Sequence, residues 1–318
     1  MSHTYLSVGL AQIAPVWLDR AATTGKIVSW IEKAATKRCG LVVFGESLLP
    51  GYPFWIERTN GAEFESALQK SMYAHYVSEA VSIENGDLEA VCSSARKHRI
   101  AVYIGVLERA ADRGGHSVYC TMVYIDRQGL IRSTHRKLMP TYEERLVWAT
   151  GDGNGLRTHS LQAFTVGGLN CWENWMPLAR ASLYALGEDL HVAIWPGNRR
   201  NTEQITRFIA KESRSYVVSV SGIMRRSDIG QNLPHSALLV ETAGDVMADG
   251  GSCVAGPDGE WILEPQSGNE ALYVVELDHH KVLEERHSLD VAGHYSRPDV
   301  TRLKVNRKRQ TTAKFSDD

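Results

Sequence analysis

The sequence lacks the features that would place it in a membrane or outside the cell. It has no run of roughly 18 or more apolar residues, so no membrane-spanning helix is expected. The first residues, MSHTYLSVGLAQIAPVW, contain no basic segment followed by a long apolar one, so we expect no secretory signal peptide. The five cysteines are dispersed and odd in number, which argues against a disulfide framework and for a reducing compartment. We therefore expect a cytoplasmic protein.

An excess of charge of one sign is also missing. The chain has 35 Lys and Arg residues against 37 Asp and Glu residues, a formal net charge of −2 and a pI near 6.6. Nothing in this balance attracts nucleic acid or an anionic membrane, so a small neutral or weakly charged ligand is expected. A basic run at 302–309 (RLKVNRKR) is interpreted as part of a solvated or oligomer-contacting tail, because nucleic-acid binding fits poorly with the acidic remainder.

Several catalytic and ligand-binding motifs are absent. The chain has no G-x-S-x-G, no H-E-x-x-H, no phosphate-binding GxxxxGK[ST] and no CxxC. The glycine-rich segment 151–155 (GDGNG) lacks the lysine of a phosphate loop, so it is interpreted as a turn. Asp278, His279, His280 and His287 fit no standard spacing of metal ligands, so surface histidines are expected there. We predict no metal and no organic cofactor.

The hydrophobic pattern alternates short apolar strands with amphipathic helices. Strands are predicted near 7–13, 41–44, 100–107, 191–195 and 216–221, and helices near 21–37, 87–99, 177–186 and 202–215. Hairpin turns are predicted at 126–129, 167–168 and 256–259. Such a pattern indicates an α/β fold with mixed sheets. We expect one domain over residues 1–295 and a tail over residues 296–318.

Reactive residue types occur at the ends of three predicted strands, where α/β folds bind ligands. They are Glu46 in FGESLLPGYP, Lys137 with Glu144 in HRKLMPTYEERLVW, and Cys171 in GGLNCWENWMP. Each has an ordinary explanation when taken singly: a surface glutamate, a solvated lysine, or a small core cysteine, the role expected for Cys92, Cys120 and Cys253. Cys171 stands apart because the polar residues that follow it suggest a bend presenting the sulfur to a pocket.

In this order and spacing, the three motifs resemble the nitrilase superfamily, and most closely its nitrilase branch. That branch is marked by a glutamate after the second strand, by H-R-K-L-x-P-T-x-x-E-R, here at 135–145, and by C-W-E, here at 171–173. Shorter supporting matches lie at 50–53, 151–153, 177–180 and 294–299, so the resemblance spans about residues 5–300. Two departures are Gly45, where proline is usual, and Ala149, where glycine is usual.

The resemblance implies a four-layer α-β-β-α sandwich and a cysteine-dependent hydrolase that converts a nitrile into an acid and ammonia. Carried over to this chain, Cys171 is the nucleophile, Glu46 the general base, Lys137 the stabiliser of developing negative charge, and Glu144 the residue that supports the lysine. Because a free thiol titrates near 8.5, a neighbouring base or cation is needed to supply thiolate at neutral pH.

The remaining expectations concern substrate, assembly and rival functions. Tyr52, Trp148, Trp172 and Trp195 lie in or beside the motifs and are candidates for an apolar substrate pocket, with core aromatics an equally good interpretation. The resemblance implies a homodimer or a larger homo-oligomer. Rival interpretations are an amidase or carbamoylase of the same superfamily, a nitrile-processing enzyme that releases the amide, and a catalytically silent scaffold. A metal-dependent hydrolase is a weaker rival.

Overall fold

The computed structural model describes residues 4–313 and residue 316, and within them the chain alternates strands with helices. The strands are β1 (Tyr5–Gln12), β2 (Leu41–Phe44), β3 (Ala101–Arg109), β4 (Val118–Ile125), β5 (Ile131–Arg136), β6 (His159–Leu161), β7 (Phe164–Asn170), β8 (Leu190–Trp195), β9 (Tyr216–Ser221), β10 (Ile223–Arg225), β11 (Val246–Ala255), β12 (Trp261–Ser267) and β13 (Ala271–Asp278). The α-helices are α1 (Arg20–Thr36), α2 (Trp55–Arg58), α3 (Ala67–Ser78), α4 (Glu89–His98), α5 (Pro177–Tyr184), α6 (Arg199–Ser213), α7 (Ser236–Thr242) and α8 (His279–Arg286).

The strands form two mixed sheets. The first has the order β13-β1-β2-β3-β4-β5, with β1, β2 and β3 parallel and the others antiparallel to their neighbours. The second has the order β10-β11-β9-β8-β7-β6, with β7, β8 and β9 parallel and β12 paired to β11. Each sheet thus has a parallel centre, whose buried strands read as continuous apolar runs such as LVVF at 41–44.

Four apolar clusters fill the three spaces between four layers. Between the sheets, residues such as Leu10 and Val43 of the first sheet pack with Val192 and Val218 of the second. The outer face of the first sheet packs against α1 and α4, and the outer face of the second packs against α5 and α6. The predicted four-layer α-β-β-α sandwich is therefore confirmed.

One predicted turn is wrong. Gly167 and Gly168 do not form a hairpin but lie inside the continuous strand β7, and the chain turns earlier, at 162–163, between β6 and β7. The glycines serve close packing instead. A Cβ at position 167 would lie 2.3 Å from a carboxylate oxygen of Glu188, and one at position 168 would lie 2.4 Å from the Val192 carbonyl oxygen.

Most other elements agree with the sequence pattern to within a few residues, including the hairpins at 126–129 and 256–259. The short elements β10, α2, α7 and α8 had not been predicted. Each has three to eight residues, too few for a hydrophobic period to emerge clearly. Among the described helices, none combines the length and apolar character needed to cross a bilayer.

After α8 the chain makes several turns, and its residues 309–310 then lie against β5 at the edge of the first sheet. Arg309 pairs with Asp152 at 3.1 Å and donates to the Thr134 carbonyl oxygen at 3.2 Å. The backbone N–H of Gln310 donates to the other Asp152 oxygen at 2.9 Å. The GDGNG segment is a short 3-10 turn capped by Asp152, and this part of the basic run packs on it.

Candidate active site

The four predicted catalytic residues come together where the two sheets meet. Glu46 follows β2 and Lys137 follows β5, both in the first sheet, whereas Cys171 follows β7 in the second. Glu144 lies on a 3-10 helix at 142–146, where its side chain closes a capping box with Thr141. The backbone N–H of Glu46 donates to the carbonyl oxygen of Trp195 at the end of β8, at 3.1 Å, and so joins the sheets at this point.

A close approach of backbones fixes the position of Glu46. A Cβ on Gly105 of β3 would lie 2.6 Å from the Glu46 Cα and 2.4 Å from the Ser47 nitrogen. Ser47 itself has a positive φ of 48°. The absence of a side chain at position 105 therefore allows the turn after β2 to press against the neighbouring strand.

The ammonium of Lys137 is the centre of the site. Its Nζ lies 2.9 Å from Glu46 Oε1 and 2.7 Å from Glu144 Oε2, and the lysine is 1% exposed. Burial alone would lower the pKa of Lys137, but the neighbouring Cys171, Glu46 and Glu144 raise it well above its usual value. Lys137 is therefore charged at neutral pH.

Glu46 is held in a state that can take up a proton. Burial raises the pKa of its carboxyl to about 7, opposed by Lys137 and reinforced by Glu144. Its Oε1 accepts from Lys137, whereas Oε2 is buried and accepts no hydrogen bond from the described residues. A buried carboxylate oxygen without a donor has a high affinity for a proton, as a general base requires.

Cys171 carries its sulfur at the first residue of a 3-10 helix at 171–175. Its φ of 48° lies in the left-handed region, which is unusual for a residue with a side chain. The ligand atoms of Glu46, Glu144 and Cys171 all lie within 4.8 Å of one another. Burial and the Glu46 charge raise the pKa of the thiol well above its usual value, opposed by Lys137 and the backbone N–H of Trp172.

These charges imply a thiol rather than a thiolate in the resting site. Two carboxylates and one ammonium already leave a net negative charge when Glu46 is ionised, so a thiolate would add a second. The geometry therefore suits a thiol that loses its proton to Glu46 as it attacks a substrate.

The same three ligand atoms could in principle hold a metal ion. However, the Lys137 ammonium already lies within hydrogen-bond distance of both carboxylates. A divalent ion bound by the same oxygens would be repelled by this charge at contact distance. The residues present thus fit an ammonium-centred site better than a metal centre.

Of the four aromatic residues predicted to line the pocket, two contact the Lys137–Glu144 pair directly. The Tyr52 hydroxyl donates to Glu144 Oε1 at 2.9 Å, and the Trp148 ring centroid lies 5.4 Å from Lys137 Nζ. The two rings also meet edge to face at 5.5 Å. These contacts help hold the Lys137–Glu144 pair in place.

The other two aromatic residues differ in exposure. Trp195 is fully buried and packs in the same cluster as Cys171, with an indole N–H that has no partner among the described residues. Trp172 is 50% exposed and its ring lies 6.2 Å from that of Trp175.

The sequence analysis missed a third buried carboxylate near Cys171. Glu173 accepts from the Asn170 backbone N–H at 2.9 Å, from the backbone N–H of Leu138, and from His135 Nε2 at 3.0 Å. It therefore connects the Cys171 turn to the residue that follows Lys137. Its position in C-W-E and that of His135 in the H-R-K motif were visible, but no spacing rule indicated that they pair.

Cys120 also has a contact that its expected core role did not include. It is fully buried in β4, as predicted, and its thiol donates to Glu46 Oε1 at 3.4 Å. The same oxygen also contacts Lys137, so among the described residues Glu46 Oε1 has two partners while Oε2 has none.

Comparisons with known proteins show the family of this chain. The sequence profile of the carbon–nitrogen hydrolase family matches residues 7–286. A protein called nitrilase 2, from an unknown prokaryotic organism, is 35% identical over 314 residues, covering 98% of this chain and 96% of that protein. An arylacetonitrilase from Macrophomina phaseolina is 32% identical over 331 residues, covering 96% of this chain and 92% of the relative.

A solved structure shares the fold. The carbon–nitrogen hydrolase of Helicobacter pylori superimposes with a TM-score of 0.68 at 19% identity, covering 91% of this chain and 94% of that one. With a family profile that spans most of the chain and relatives above 30% identity over nearly its full length, the protein belongs to the nitrilase superfamily of carbon–nitrogen hydrolases and is a cysteine-dependent hydrolase of carbon–nitrogen bonds other than peptide bonds.

Proposed function

We propose that the protein is a nitrilase, which converts an organic nitrile into the carboxylic acid and ammonia. The observation that carries this proposal is the arrangement of Cys171, Glu46 and Glu144 within 4.8 Å around the Lys137 ammonium. The names of the two relatives, nitrilase 2 and arylacetonitrilase, support the nitrile as substrate. Glu46, Lys137, Glu144 and Cys171 are the proposed catalytic residues.

The first half of the reaction forms a thioimidate. The thiol of Cys171 adds across the carbon–nitrogen triple bond, so that a sulfur–carbon bond forms and one π electron pair moves to nitrogen. The thiol proton passes to Glu46 and from there to that nitrogen. Lys137 and the Trp172 backbone N–H stabilise the developing negative charge, and losing one such donor typically costs about 10²–10³ in rate.

The second half releases both products. Glu46 takes a proton from water, which adds to the thioimidate carbon, and the protonated nitrogen leaves as ammonia to give a thioester. A second water then breaks the sulfur–carbon bond, releasing the acid and restoring the thiol. The sum is one nitrile and two waters giving one acid and one ammonia, with no external oxidant or cofactor.

The outcome depends on which group leaves the tetrahedral centre. Loss of protonated nitrogen gives the acid, whereas loss of sulfur gives the amide. Because Glu46 has a pKa of about 7 and contacts Lys137, it is suited to deliver its proton to nitrogen, which favours the acid. Some amide by-product is compatible with the same site.

We propose that the aromatic residues act in two ways. Tyr52 and Trp148 hold the lysine pair and form one wall of the substrate pocket, as their contacts with Glu144 and Lys137 suggest. Trp195 and Trp172 form the remainder, Trp195 beside the sulfur and Trp172 towards solvent, as their burial suggests.

The test is product analysis by mass spectrometry with benzonitrile, phenylacetonitrile and an aliphatic dinitrile, each beside its matching amide. We expect acid and ammonia from at least one nitrile, and none from the Cys171→Ala variant. Turnover of the amides with every nitrile untouched would instead identify an amidase or carbamoylase. Complete absence of turnover, with no thiol protected from iodoacetamide by substrate, would identify a silent scaffold.

Two further expectations stay predictions. All five cysteines are free and buried, which supports a reducing compartment such as the cytoplasm. A homodimer or a larger homo-oligomer is expected from the resemblance, with a small-molecule nitrile as the only other partner. Light scattering coupled to size-exclusion chromatography measures the assembly, and a monomer would contradict it.

A further inference from the structure

A chain of three buried polar side chains lies behind the nucleophile, and the mechanism above does not use it. His191 of β8 lies between Glu188 and Asn174, and all three residues are 0% exposed. Its Nδ1 is 3.0 Å from both Glu188 oxygens, and its Nε2 is 2.7 Å from Asn174 Oδ1. The amide of Asn174 then donates to the Cys171 carbonyl oxygen at 2.8 Å.

The hydrogen-bond roles along this chain are fixed by elimination. The Asn174 amide nitrogen faces two carbonyl oxygens, those of Cys171 and Leu169, so its oxygen must face His191. The ring therefore donates from Nε2. Its Nδ1 is hydrogen-bonded to the Glu188 carboxylate. Glu188 thus orients the ring, and the ring in turn orients the amide.

The hydrogen bond from Asn174 to the Cys171 carbonyl affects the Trp172 N–H, the proposed anion-stabilising group, through the peptide that both groups share. The carbonyl of Cys171 and the N–H of Trp172 belong to the same planar trans peptide, so they point in opposite directions. When Asn174 holds the carbonyl on its own side, the N–H must face the other side. In this orientation the N–H stabilises the thiolate and so lowers the pKa of the Cys171 thiol, against the opposing effect of burial.

The backbone at this point needs such support. Cys171 adopts a φ of 48°, a conformation that costs about 1–2 kcal/mol for a residue with a side chain. Arg180 adds a second anchor, because it donates to the Asn174 carbonyl oxygen at 2.7 Å. Without the Asn174 side chain, the Cys171 carbonyl oxygen would lose a buried donor, and the Cys171–Trp172 peptide would be held less firmly in this orientation.

We propose that Asn174, oriented by His191 and Glu188, is a positioning residue that aims the Trp172 N–H at the negative charge formed during attack by Cys171. The inference rests on the proposed function, in which that N–H is an anion-stabilising donor. Asn174 does not touch the reacting atoms itself. It acts through the orientation of one peptide group, and Glu188 and His191 act through Asn174.

The experiment compares two reactions of the same thiol. Iodoacetamide alkylates Cys171 with loss of iodide and needs only a reactive sulfur. An aldehyde analogue of the substrate adds to it reversibly: a sulfur–carbon bond forms, the carbonyl π pair moves to oxygen, and the thiol proton passes to Glu46. That adduct carries an oxyanion, so its stability depends strongly on the N–H donor, whereas the alkylation rate depends on it only through the reactivity of the thiol.

The variants are Asn174→Ala, His191→Phe and His191→Gln, with Gln69→Ala as the matched control. Gln69 also donates a side-chain amide to a backbone carbonyl, that of Thr59, at 2.7 Å, but far along the chain from the site. Glutamine at position 191 keeps amide donors, whereas phenylalanine fills the space without them. The readouts are kcat, KM, aldehyde inhibition and the alkylation rate at Cys171, mapped by mass spectrometry.

We expect Asn174→Ala and His191→Phe to lower kcat and weaken aldehyde inhibition by about 10–100-fold, with smaller changes in KM and alkylation. His191→Gln and Gln69→Ala should stay within a few-fold of wild type. If Asn174→Ala fails to fold, the two His191 variants carry the same comparison. Wild-type aldehyde inhibition in His191→Phe, or equal loss of inhibition and alkylation, would overturn the proposal and leave the chain a support of the fold.

The wild type separates this inference from the proposed function. If the wild-type enzyme turns over nitriles and binds the aldehyde while the variants match it, only the positioning role is overturned. If alkylation of Cys171 leaves wild-type turnover intact, the nucleophile itself is misassigned, and the proposed function falls together with this inference.

Discussion

Glu46 and Glu173 are almost equally buried, 3% and 1% exposed, and both lie near Cys171. Their protonation is nevertheless expected to differ. Glu173 accepts from His135 and from two backbone N–H groups. Burial alone would raise its pKa, but these donors lower it below the usual value. Glu46 has one oxygen without a partner in the described part of the chain, and burial raises its pKa to about 7.

The comparison teaches that burial alone does not make a general base. A fully satisfied carboxylate such as Glu173 is a structural anchor that stays ionised, because its donors stabilise the charge. Glu46 shares one oxygen between Lys137 and Cys120 and leaves the other free for a proton. The two roles differ in the number of hydrogen bonds that each carboxylate oxygen accepts. The variants below change that number or a property that depends on it.

The largest effect is expected from Cys171→Ala, which leaves both carboxylates in place and removes the proposed nucleophile. Turnover should fall by roughly 10⁴-fold or more, because no other group can form the covalent intermediate. The melting temperature should change by only a few degrees, since one sulfur is lost. Ammonia release and thermal unfolding measure the two effects. Near-normal turnover would show that the nucleophile lies elsewhere.

Glu46→Gln and Lys137→Ala change the proposed general base and the lysine that contacts it. Each should lower kcat by about 10²–10³-fold and change KM much less, because both groups act mainly in the transition state. Steady-state kinetics with the best nitrile measure the split. A Lys137→Ala variant with normal kcat would reduce the lysine to a structural counter-ion.

Glu173→Gln tests whether Glu173 is a structural anchor. Glutamine presents an NH₂ group where three donors now converge, so the free energy of unfolding should fall by about 3 kcal/mol. Activity should fall less than in Glu46→Gln. Urea denaturation with parallel kinetics separates the two losses. If Glu173→Gln loses kcat as fully as Glu46→Gln while its stability is unchanged, the proposed division between base and anchor fails.

The pH profile tests the raised pKa of Glu46. The proton-accepting form dominates above a pKa of about 7, so kcat/KM should decline as pH falls below 7, approaching tenfold per pH unit. The Glu173→Gln variant should show the same decline of kcat/KM at acidic pH, because Glu173 is not the group proposed to take up the proton. A decline with its midpoint near the ordinary glutamate pKa of about 4.3 would contradict its assignment to the raised pKa of Glu46.

The smallest effect is expected from Cys120→Ala. The substitution removes one weak donor from Glu46 Oε1 but leaves Lys137 on the same oxygen, so kcat should change by no more than a few-fold. Covalent labelling of Cys171 should be retained, as in single variants of the other three cysteines. A large loss of labelling in Cys120→Ala would assign its thiol a direct part in the reaction.

Much of the fold could be predicted from the sequence, since its apolar runs are short and regularly spaced. The strand at 41–44 and the helices near 21–37 and 87–99 appear close to their predicted bounds. The hairpin at 167–168 was wrong because a pair of glycines looks the same whether it makes a turn or admits a neighbouring side chain. Only the position of Glu188 against β7 distinguishes the two.

The sequence by itself determined which residues could react, because strand ends and motif spacing select Glu46, Lys137 and Cys171 without reference to distance. It did not determine their charge states, since a pKa depends on donors brought from other elements. It also could not reveal the part played by Asn174 or His191, because Asn174 lies just after C-W-E without a reactive side chain and His191 belongs to none of the motifs. Only the packing of β7 against β8 decides that these two side chains meet behind Cys171 and hold its carbonyl.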